Sequence, residues 1–242
     1  MRIPRVFSTT KLEPGNTVRL DDNAGRHLLH SLRLQSGAAI VLFDGSGADF
    51  AAELSSRGKR EAWAKIGEVL RTEPPPALRL QLALGISRGE RMDFALQKAV
   101  ELGVWEIQPL FTERTLVRLK GPRLASRMAH WRGIVRHACE QSGRALLPRL
   151  LEPCPLESWL NHFNGRGLLL DPRAAQTLTA QHPPDTELAL LVGPEGGLSD
   201  AERRAAYQAG LQGIRLGPRI LRAETAPLAA LAAIQALWGD FR

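Results

Sequence analysis

Three consecutive prolines interrupt the chain in residues 72–77, TEPPPA, and they restrict the possible folds more than any other feature of the sequence. A proline run has no backbone N–H donors and a fixed φ, so it suits neither a helix interior nor a central strand. The hydrophobic pattern also changes there. Short runs such as AAIVLFDG and EAWAKIGEVL precede it and predict a small, barrel-like β domain. The sequence therefore predicts two domains, residues 1–72 and residues 73–242.

The segment after the prolines has the pattern of an α/β domain. Apolar strand-like runs (LRLQLALGI, VWEIQPLF, GLLLD, LALLVG and IRLG) alternate with helical patterns such as RMDFALQKAVELG and ASRMAHWRGIVRHACEQSG. This alternation is typical of a mainly parallel sheet covered by helices on both faces. Open sheets of this kind bind ligands beyond the carboxyl ends of their strands, so the loops that follow the strands are the candidate site.

Composition excludes several classes of protein. The chain has 242 residues, 44% of them hydrophobic, which is enough for a full core. The first ten residues lack the apolar region of a secretory signal, and the longest apolar run, APLAALAAIQALW, is too short to span a bilayer. Cys139 and Cys154 form no C-x-x-C pair, and the histidines form no H-E-x-x-H motif. We expect a cytoplasmic protein with no membrane span and no metal.

Positive charge is concentrated in one segment. The chain has a net charge of +7, and residues 114–149 contain nine Lys or Arg but a single acid, Glu140. Solvated faces usually mix both signs, so this excess favours contact with a phosphate backbone over an ordinary solvated face. The candidate RNA-binding residues are Arg114, Arg118, Lys120, Arg123, Arg127, Arg132 and Arg136.

Two glycine-bearing loops follow predicted strands. In LVGPEGGLSDAE the loop precedes a helix that Ser199 and Glu202 are expected to cap as an S-x-x-E box. The loop lacks the Lys-Ser/Thr of a P-loop and the G-x-G-x-x-G spacing, and Glu195 would repel phosphate. These features favour a neutral or cationic ligand, although an ordinary strand-to-helix turn fits equally well. LGPRILRAETAP is the second loop, and with LLLDPRA the two are expected to form one three-sided pocket.

Four motifs together resemble one family. QKAVELGV, RHACEQSGR, GPEGG and LGPRILRAETA, behind a small β domain, are similar to those of the SPOUT-class methyltransferases that modify uridine N3 in bacterial 16S ribosomal RNA. The resemblance implies an α/β fold: a SPOUT-type trefoil-knotted domain with a mainly parallel sheet, preceded by a small PUA-like β-barrel that binds RNA. It also implies S-adenosylmethionine as cofactor, the small ribosomal subunit as substrate and a homodimer as the working form.

The resemblance also implies roles for individual residues. Arg222 and Arg144 would contact the uracil carbonyl oxygens, and Glu140 or Glu224 would accept the N3 proton, although Glu140 and Arg136 are equally consistent with an exposed i,i+4 pair. Glu195 would lie beside the sulfonium or cap backbone amides. The residues expected to bind the cofactor are Leu170, Asp171, Gly193, Glu195, Gly196, Leu216, Gly217, Ile220, Leu221, Arg222 and Thr225.

Two alternatives stay open on the sequence. The same scaffold could carry ribose 2′-O or guanine N1 methylation of RNA. A non-catalytic ribosome assembly factor could use the basic surface alone, without a cofactor.

Overall fold

The structure is a computed structural model that describes residues 3–57, 61–117 and 119–241. The chain divides into two compact units. One unit comprises Met1–Pro75 and Arg136–Leu147, and the other comprises Pro76–Val135 and Pro148–Arg242. The first boundary falls inside the proline run. The second falls inside a long helix and has no counterpart in the sequence pattern.

The first unit contains a five-stranded sheet in the order β1-β3-β4-β5-β2. Its strands are β1 (Arg5–Phe7), β2 (Thr17–Arg19), β3 (Ala39–Phe43), β4 (Ala48–Arg57) and β5 (Glu61–Thr72). Strands β1 and β3 are parallel, and the other neighbours are antiparallel. The pattern GRHLLHSLRLQ, residues 25–35, has helical spacing, and a short helix α1 (Asp22–Arg26) and a π-helical turn (His27–Ser31) overlap it. Apolar side chains from the strands pack with Leu28 in a hydrophobic core.

A buried carboxylate ties three strands of this unit together. Asp49 on β4 is 4% exposed. One of its oxygens accepts hydrogen bonds from Arg5 Nε (3.0 Å) and Nη2 (2.6 Å), and the other accepts one from Arg71 Nε (2.6 Å). The Arg5 guanidinium also lies over the Phe43 ring, 3.8 Å from its centroid. Because both oxygens are paired, the buried charge is compensated.

The second unit contains a seven-stranded sheet in which every described pairing is parallel. Its order is β12-β10-β11-β6-β7-β8, and β9 also pairs with β7. The strands are β6 (Arg79–Gly85), β7 (Glu106–Phe111), β8 (Arg149–Leu150), β9 (Cys154–Pro155), β10 (Gly167–Leu170), β11 (Glu187–Val192) and β12 (Gln212–Ile214). The predicted parallel α/β architecture is confirmed.

Five longer helices follow in chain order. They are α2 (Glu90–Glu101), α3 (Gly121–Ser142), α4 (Leu156–His162), α5 (Asp200–Gln208) and α6 (Thr225–Trp238). In α2, the helical spacing of Met92, Leu96 and Ala99 predicts one buried face, and each of these residues is at most 1% exposed. The apolar pattern of the last segment predicts a helix from Pro227, and α6 begins two residues earlier, at Thr225. The two-residue strands β8 and β9 and the seven-residue helix α4 are too short to give a periodic signal, and the sequence did not predict them.

Neither a membrane-spanning helix nor a cluster of metal ligands occurs in the residues that the structure describes. No described helix combines the length and apolarity that a membrane crossing requires. Within the same residues, no cluster of three or more His, Cys, Asp or Glu side chains is arranged to hold a metal ion.

Candidate functional site: a cavity at the strand ends

Three neighbouring strands end together at one edge of the second sheet. Strand β10 lies between β11 and β12, and the register pairs Leu169 with Leu191 and Leu170 with Ile214. Since the strands are parallel, the loops that follow them, residues 171–177, 193–199 and 215–224, leave from the same edge. These loops enclose a cavity of about 620 Å³.

Glycines allow the loop after β11 to fold tightly. A Cβ on Gly193 would lie 3.0 Å from the Gly197 carbonyl carbon and from the Leu198 nitrogen. Gly197 has φ +66°, and its N–H donates to the Pro194 carbonyl (2.8 Å). A neighbouring glycine, Gly85 at the end of β6, faces the same loop, because a Cβ there would lie 2.5 Å from Pro194 N and Cδ. Close backbone packing therefore accounts for these glycines without a ligand.

Glu195 contacts the start of helix α2. Its Oε1 accepts a hydrogen bond from the Arg88 backbone N–H (2.9 Å) and a longer one from Arg91 Nη1 (3.4 Å). Partial burial acts to raise the pKa of Glu195, but the hydrogen bonds from Arg88, Arg91 and Ser87 outweigh it and hold the pKa below its ordinary value. The carboxylate stays ionised near neutral pH. The backbone-capping interpretation of Glu195 explains these contacts without a cationic ligand.

The predicted capping box at the start of α5 is confirmed. Ser199 accepts a hydrogen bond from the Glu202 N–H (3.2 Å), and Glu202 Oε2 accepts one from the Ser199 N–H (2.8 Å). The other oxygen of Glu202 accepts from the Glu113 N–H (2.8 Å), in the turn after β7. The next residue, Arg114, donates from Nη1 to the Gly196 carbonyl (2.8 Å) and lines the cavity.

Asp171 begins the loop after β10 and is 5% exposed. Its Oδ2 accepts a hydrogen bond from the Tyr207 hydroxyl (3.0 Å), and its Oδ1 accepts one from the Arg173 N–H (3.0 Å). Arg203 Nη1 lies 3.6 Å from Oδ1. Burial and the Asp171 carboxylate both raise the pKa of Tyr207 above its ordinary value, so the phenol stays protonated as a donor. Asp171 therefore holds the rim of the cavity in shape.

The loop after β12 forms the third wall. Gly217 has φ +79°, and no atom lies within 4 Å of the position that a Cβ would take. Ile220 is 85% exposed although it lines the cavity. The Arg222 side chain is 82% exposed, and its Nη1 lies 3.9 Å from an oxygen of Glu224. The Glu224 side chain is only 16% exposed, and its second oxygen lies 4.0 Å from Arg91 Nε.

Most of the residues expected to bind the cofactor line this cavity. Gly196, Arg222 and Thr225 do not contribute to its walls. The wall residues that were expected are Leu170, Asp171, Gly193, Glu195, Leu216, Gly217, Ile220 and Leu221. The arginines in the wall that were not assigned to the cofactor are Arg114, Arg173, Arg203, Arg215 and Arg219. The sequence predicts that Arg114 follows a strand and binds RNA. It could not place Arg114 at this cavity, because strand order determines which strand ends are neighbours.

Glu140 and Arg144 belong to the first unit, and both make internal contacts there. Glu140 accepts hydrogen bonds from the Phe7 N–H (2.9 Å) and from His137 Nδ1 (2.8 Å). The Arg144 side chain is 12% exposed, and its Nε lies 4.0 Å from Glu73. These contacts give both residues a structural role.

The basic segment is only partly available to a partner. Lys120, Arg123 and Arg132 are exposed, but Arg132 pairs with Glu152 (2.5 Å). Arg127 is half-buried, and the Arg136 guanidinium lies over the Phe7 ring, 4.9 Å from its centroid. Arg118 lies outside the described residues.

Comparison with known proteins identifies the family. The model of the RNA methyltransferase domain matches residues 73–235, and that of the RNA methyltransferase PUA domain matches residues 20–67. A structure of ribosomal RNA small subunit methyltransferase E from Neisseria gonorrhoeae, bound to S-adenosylmethionine, is 42% identical, with a TM-score of 0.91 and 100% of both chains covered. A methyltransferase of Legionella pneumophila, solved with the same cofactor, is 36% identical with a TM-score of 0.95, again over 100% of both chains.

A further relative is similar to this chain over almost its whole length. The ribosomal RNA small subunit methyltransferase E of Buchnera aphidicola (strain Sg) is 31% identical over 243 aligned positions, which cover 99% of this chain and 98% of the relative. The chain therefore belongs to the RNA methyltransferase family that contains the ribosomal RNA small subunit methyltransferases E.

Proposed function

We propose that this protein transfers a methyl group from S-adenosylmethionine to N3 of a uridine in 16S ribosomal RNA of the small ribosomal subunit. The observation that carries the proposal is the cavity that three loops form at neighbouring strand ends. It occurs in a chain whose fold matches, with TM-scores of 0.95 and 0.91, two structures solved with this cofactor. N3 as the acceptor atom is supported by the ELGV, EQSGR and ILRAETA motifs.

The cavity fits such a cofactor. Its volume of about 620 Å³ is within the range of small-molecule sites, about 300–1,000 Å³. The walls combine apolar side chains, among them Leu170 and Leu198, with backbone groups of three loops, which suits a purine and a ribose. Gly217 leaves open space where a side chain would stand. No cluster of metal ligands occurs in the described residues, and the proposed reaction requires none.

The chain has two tasks in this reaction. S-adenosylmethionine supplies an electrophilic methyl group when it is bound. Uracil N3 carries a proton, so the protein must hold the ring in line and accept that proton while negative charge develops on the carbonyl oxygens. Arg222 is the candidate to stabilise that charge, because its guanidinium is exposed beside the cavity loop.

Glu224 is the preferred proton acceptor. It lies two residues from Arg222, and its carboxylate is 3.9 Å from the guanidinium that is proposed to contact the uracil. Glu140 is the weaker candidate, since both of its oxygens already accept hydrogen bonds. Arg144 is likewise weaker as a uracil ligand, because its side chain is 12% exposed.

The assembly and location are part of the same proposal. We propose that the loops around the cavity form a trefoil knot and that two copies form a homodimer in the cytoplasm. The first unit and the exposed basic residues of α3 would grip RNA. Exposed apolar side chains in the second unit, Ile220 (85%), Phe241 (48%) and Leu237 (41%), support a protein interface there. Light scattering on purified protein tests the dimer.

Methyl transfer by variants tests the proposed roles. With labelled S-adenosylmethionine and small ribosomal subunits that lack the modification, Arg222→Ala is expected to lower kcat about 10²- to 10³-fold. Glu224→Gln should lower it about 10²- to 10⁴-fold. The matched control is Arg204→Ala, which removes an exposed arginine of α5 outside the cavity. Near-normal turnover by Arg222→Ala would refute its role.

A further inference from the structure

Arg114 is a cavity residue held in a defined position. Its Nη1 donates to the Gly196 carbonyl (2.8 Å). Its Cβ lies 3.0 Å from the position that a Cβ on Gly196 would take, so the side chain packs directly on the loop after β11. Within the described residues, its guanidinium forms no ion pair, and its positive charge is therefore available to a ligand in the cavity.

Glu202 fixes the turn that carries Arg114. One oxygen closes the capping box with the Ser199 N–H, and the other accepts from the Glu113 N–H, each at 2.8 Å. Within the turn, the Thr112 N–H donates to Thr115 Oγ1 (2.9 Å). A single carboxylate thus joins the start of α5 to the residue that precedes Arg114.

The other arginines of the cavity wall are less suited to an anionic ligand. Arg173 and Arg203 both pair with Asp200. Arg215 donates to the Ala174 carbonyl (3.1 Å). Arg219 is exposed, as Arg114 is, but within the described residues no hydrogen bond or ion pair holds its side chain in place. Neither Arg215 nor Arg219 lies in a turn that a carboxylate anchors in the described residues. A fixed guanidinium loses less freedom on binding than a mobile one.

We propose that Arg114 binds the carboxylate at the methionine end of the cofactor and that Glu202 is a positioning residue for Arg114. The inference rests on the proposed function, because it needs the cavity to hold S-adenosylmethionine. The carboxylate is the one anionic group of that molecule, and guanidinium binds carboxylates through paired, charge-assisted hydrogen bonds. Under this proposal, Arg114 belongs to the cofactor site and not to the residues that bind RNA.

Two probes isolate the contact with Arg114. Calorimetry measures the affinity for S-adenosylmethionine and for 5′-methylthioadenosine, which lacks the amino-acid part. Arg114→Ala should lower the affinity for S-adenosylmethionine about 10- to 100-fold, which is the loss expected for hydrogen bonds to a charged group. The affinity for methylthioadenosine should stay within about twofold of the wild-type value. Arg215→Ala and Arg219→Ala are the matched controls, with smaller losses expected. An equal loss of both probes in Arg114→Ala, or the carboxylate-specific loss in a control, would overturn the proposal.

A second pair of variants tests Glu202. Glu202→Gln keeps an acceptor for the capping box but loses the one for Glu113, whereas Ser199→Ala weakens the cap alone. Glu202→Gln should lower the affinity for S-adenosylmethionine about three- to tenfold, because Arg114 is then held less rigidly. Ser199→Ala should leave this affinity within about twofold of the wild-type value. In Arg114→Ala, the additional effect of Glu202→Gln should vanish. Additive losses would refute the positioning role, and wild-type protein that binds neither probe would refute the proposed function itself.

Discussion

The contact between Gly85 and the loop after β11 permits a quantitative prediction. A Cβ on Gly85 would lie 2.5 Å from Pro194 N and Cδ, whereas ordinary contacts begin at 3.4 Å, so Gly85→Ala must separate the segments by about 0.9 Å. Pro194 is rigid and lines the cavity. Overpacking of this kind costs about 1–3 kcal/mol of the free energy of unfolding. For a chain of this size, Tm should therefore fall by about 2–12 °C.

Gly133→Ala is the matched control for this prediction. Gly133 lies inside α3, in the same unit as Gly85, and no atom lies within 4 Å of its added Cβ. Its helical backbone accepts alanine, so the variant should gain about 0.4–1 kcal/mol. Differential scanning calorimetry gives both Tm values, and titration with S-adenosylmethionine gives the affinity, which should fall only in Gly85→Ala. A Gly85→Ala protein with wild-type Tm and affinity would refute the steric reasoning.

Three further predictions concern the first unit. Asp49→Ala leaves two arginines without their buried partner, so it should lower the free energy of unfolding, measured in urea, by about 3–5 kcal/mol. The exposed control Glu13→Ala should lower it by less than about 1 kcal/mol. Equal losses in the two variants would contradict the role of the buried charge. The hydrogen bond with Glu140 raises the pKa of His137 above 6.5. The pair therefore contributes fully to the stability of the folded state below pH 6.5, and this contribution is lost as the pH rises through the pKa of folded His137. NMR titration should show the raised pKa of His137, and Glu140→Gln should abolish the increase. Burial raises the pKa of Cys139 to about 12, so Ellman's reagent at pH 8 should label this thiol only after unfolding, and fast labelling of the native protein would contradict its burial.

The sequence predicted the elements whose signal is local. The face of α2 and the Ser199–Glu202 capping box each depend on spacing within one segment, and both agree with the structure. Periodicity could not predict the strand order that makes β10, β11 and β12 neighbours, since pairing is a long-range property. For the same reason, the sequence did not indicate that Arg114, 82 residues before Gly196, contacts the GPEGG loop.

The resemblance to a known family identified candidate loops that periodicity could not identify. Its motifs pointed to the loops that line the cavity, but a motif does not distinguish a ligand contact from an internal one. Glu140 and Glu195 illustrate the difference, because both lie in motifs and both accept hydrogen bonds from backbone N–H groups. The fold and the family were therefore accessible from the sequence, and the partners of individual side chains were not.

The most direct test of the account is the identity of the methylated nucleoside. Small ribosomal subunits that lack the modification are incubated with the protein and labelled S-adenosylmethionine, and the RNA is then digested and analysed by mass spectrometry. We predict label in 3-methyluridine at a single site of 16S ribosomal RNA. Label in a 2′-O-methylated nucleoside or in 1-methylguanosine would contradict the acceptor, and no transfer despite cofactor binding would contradict the proposed substrate.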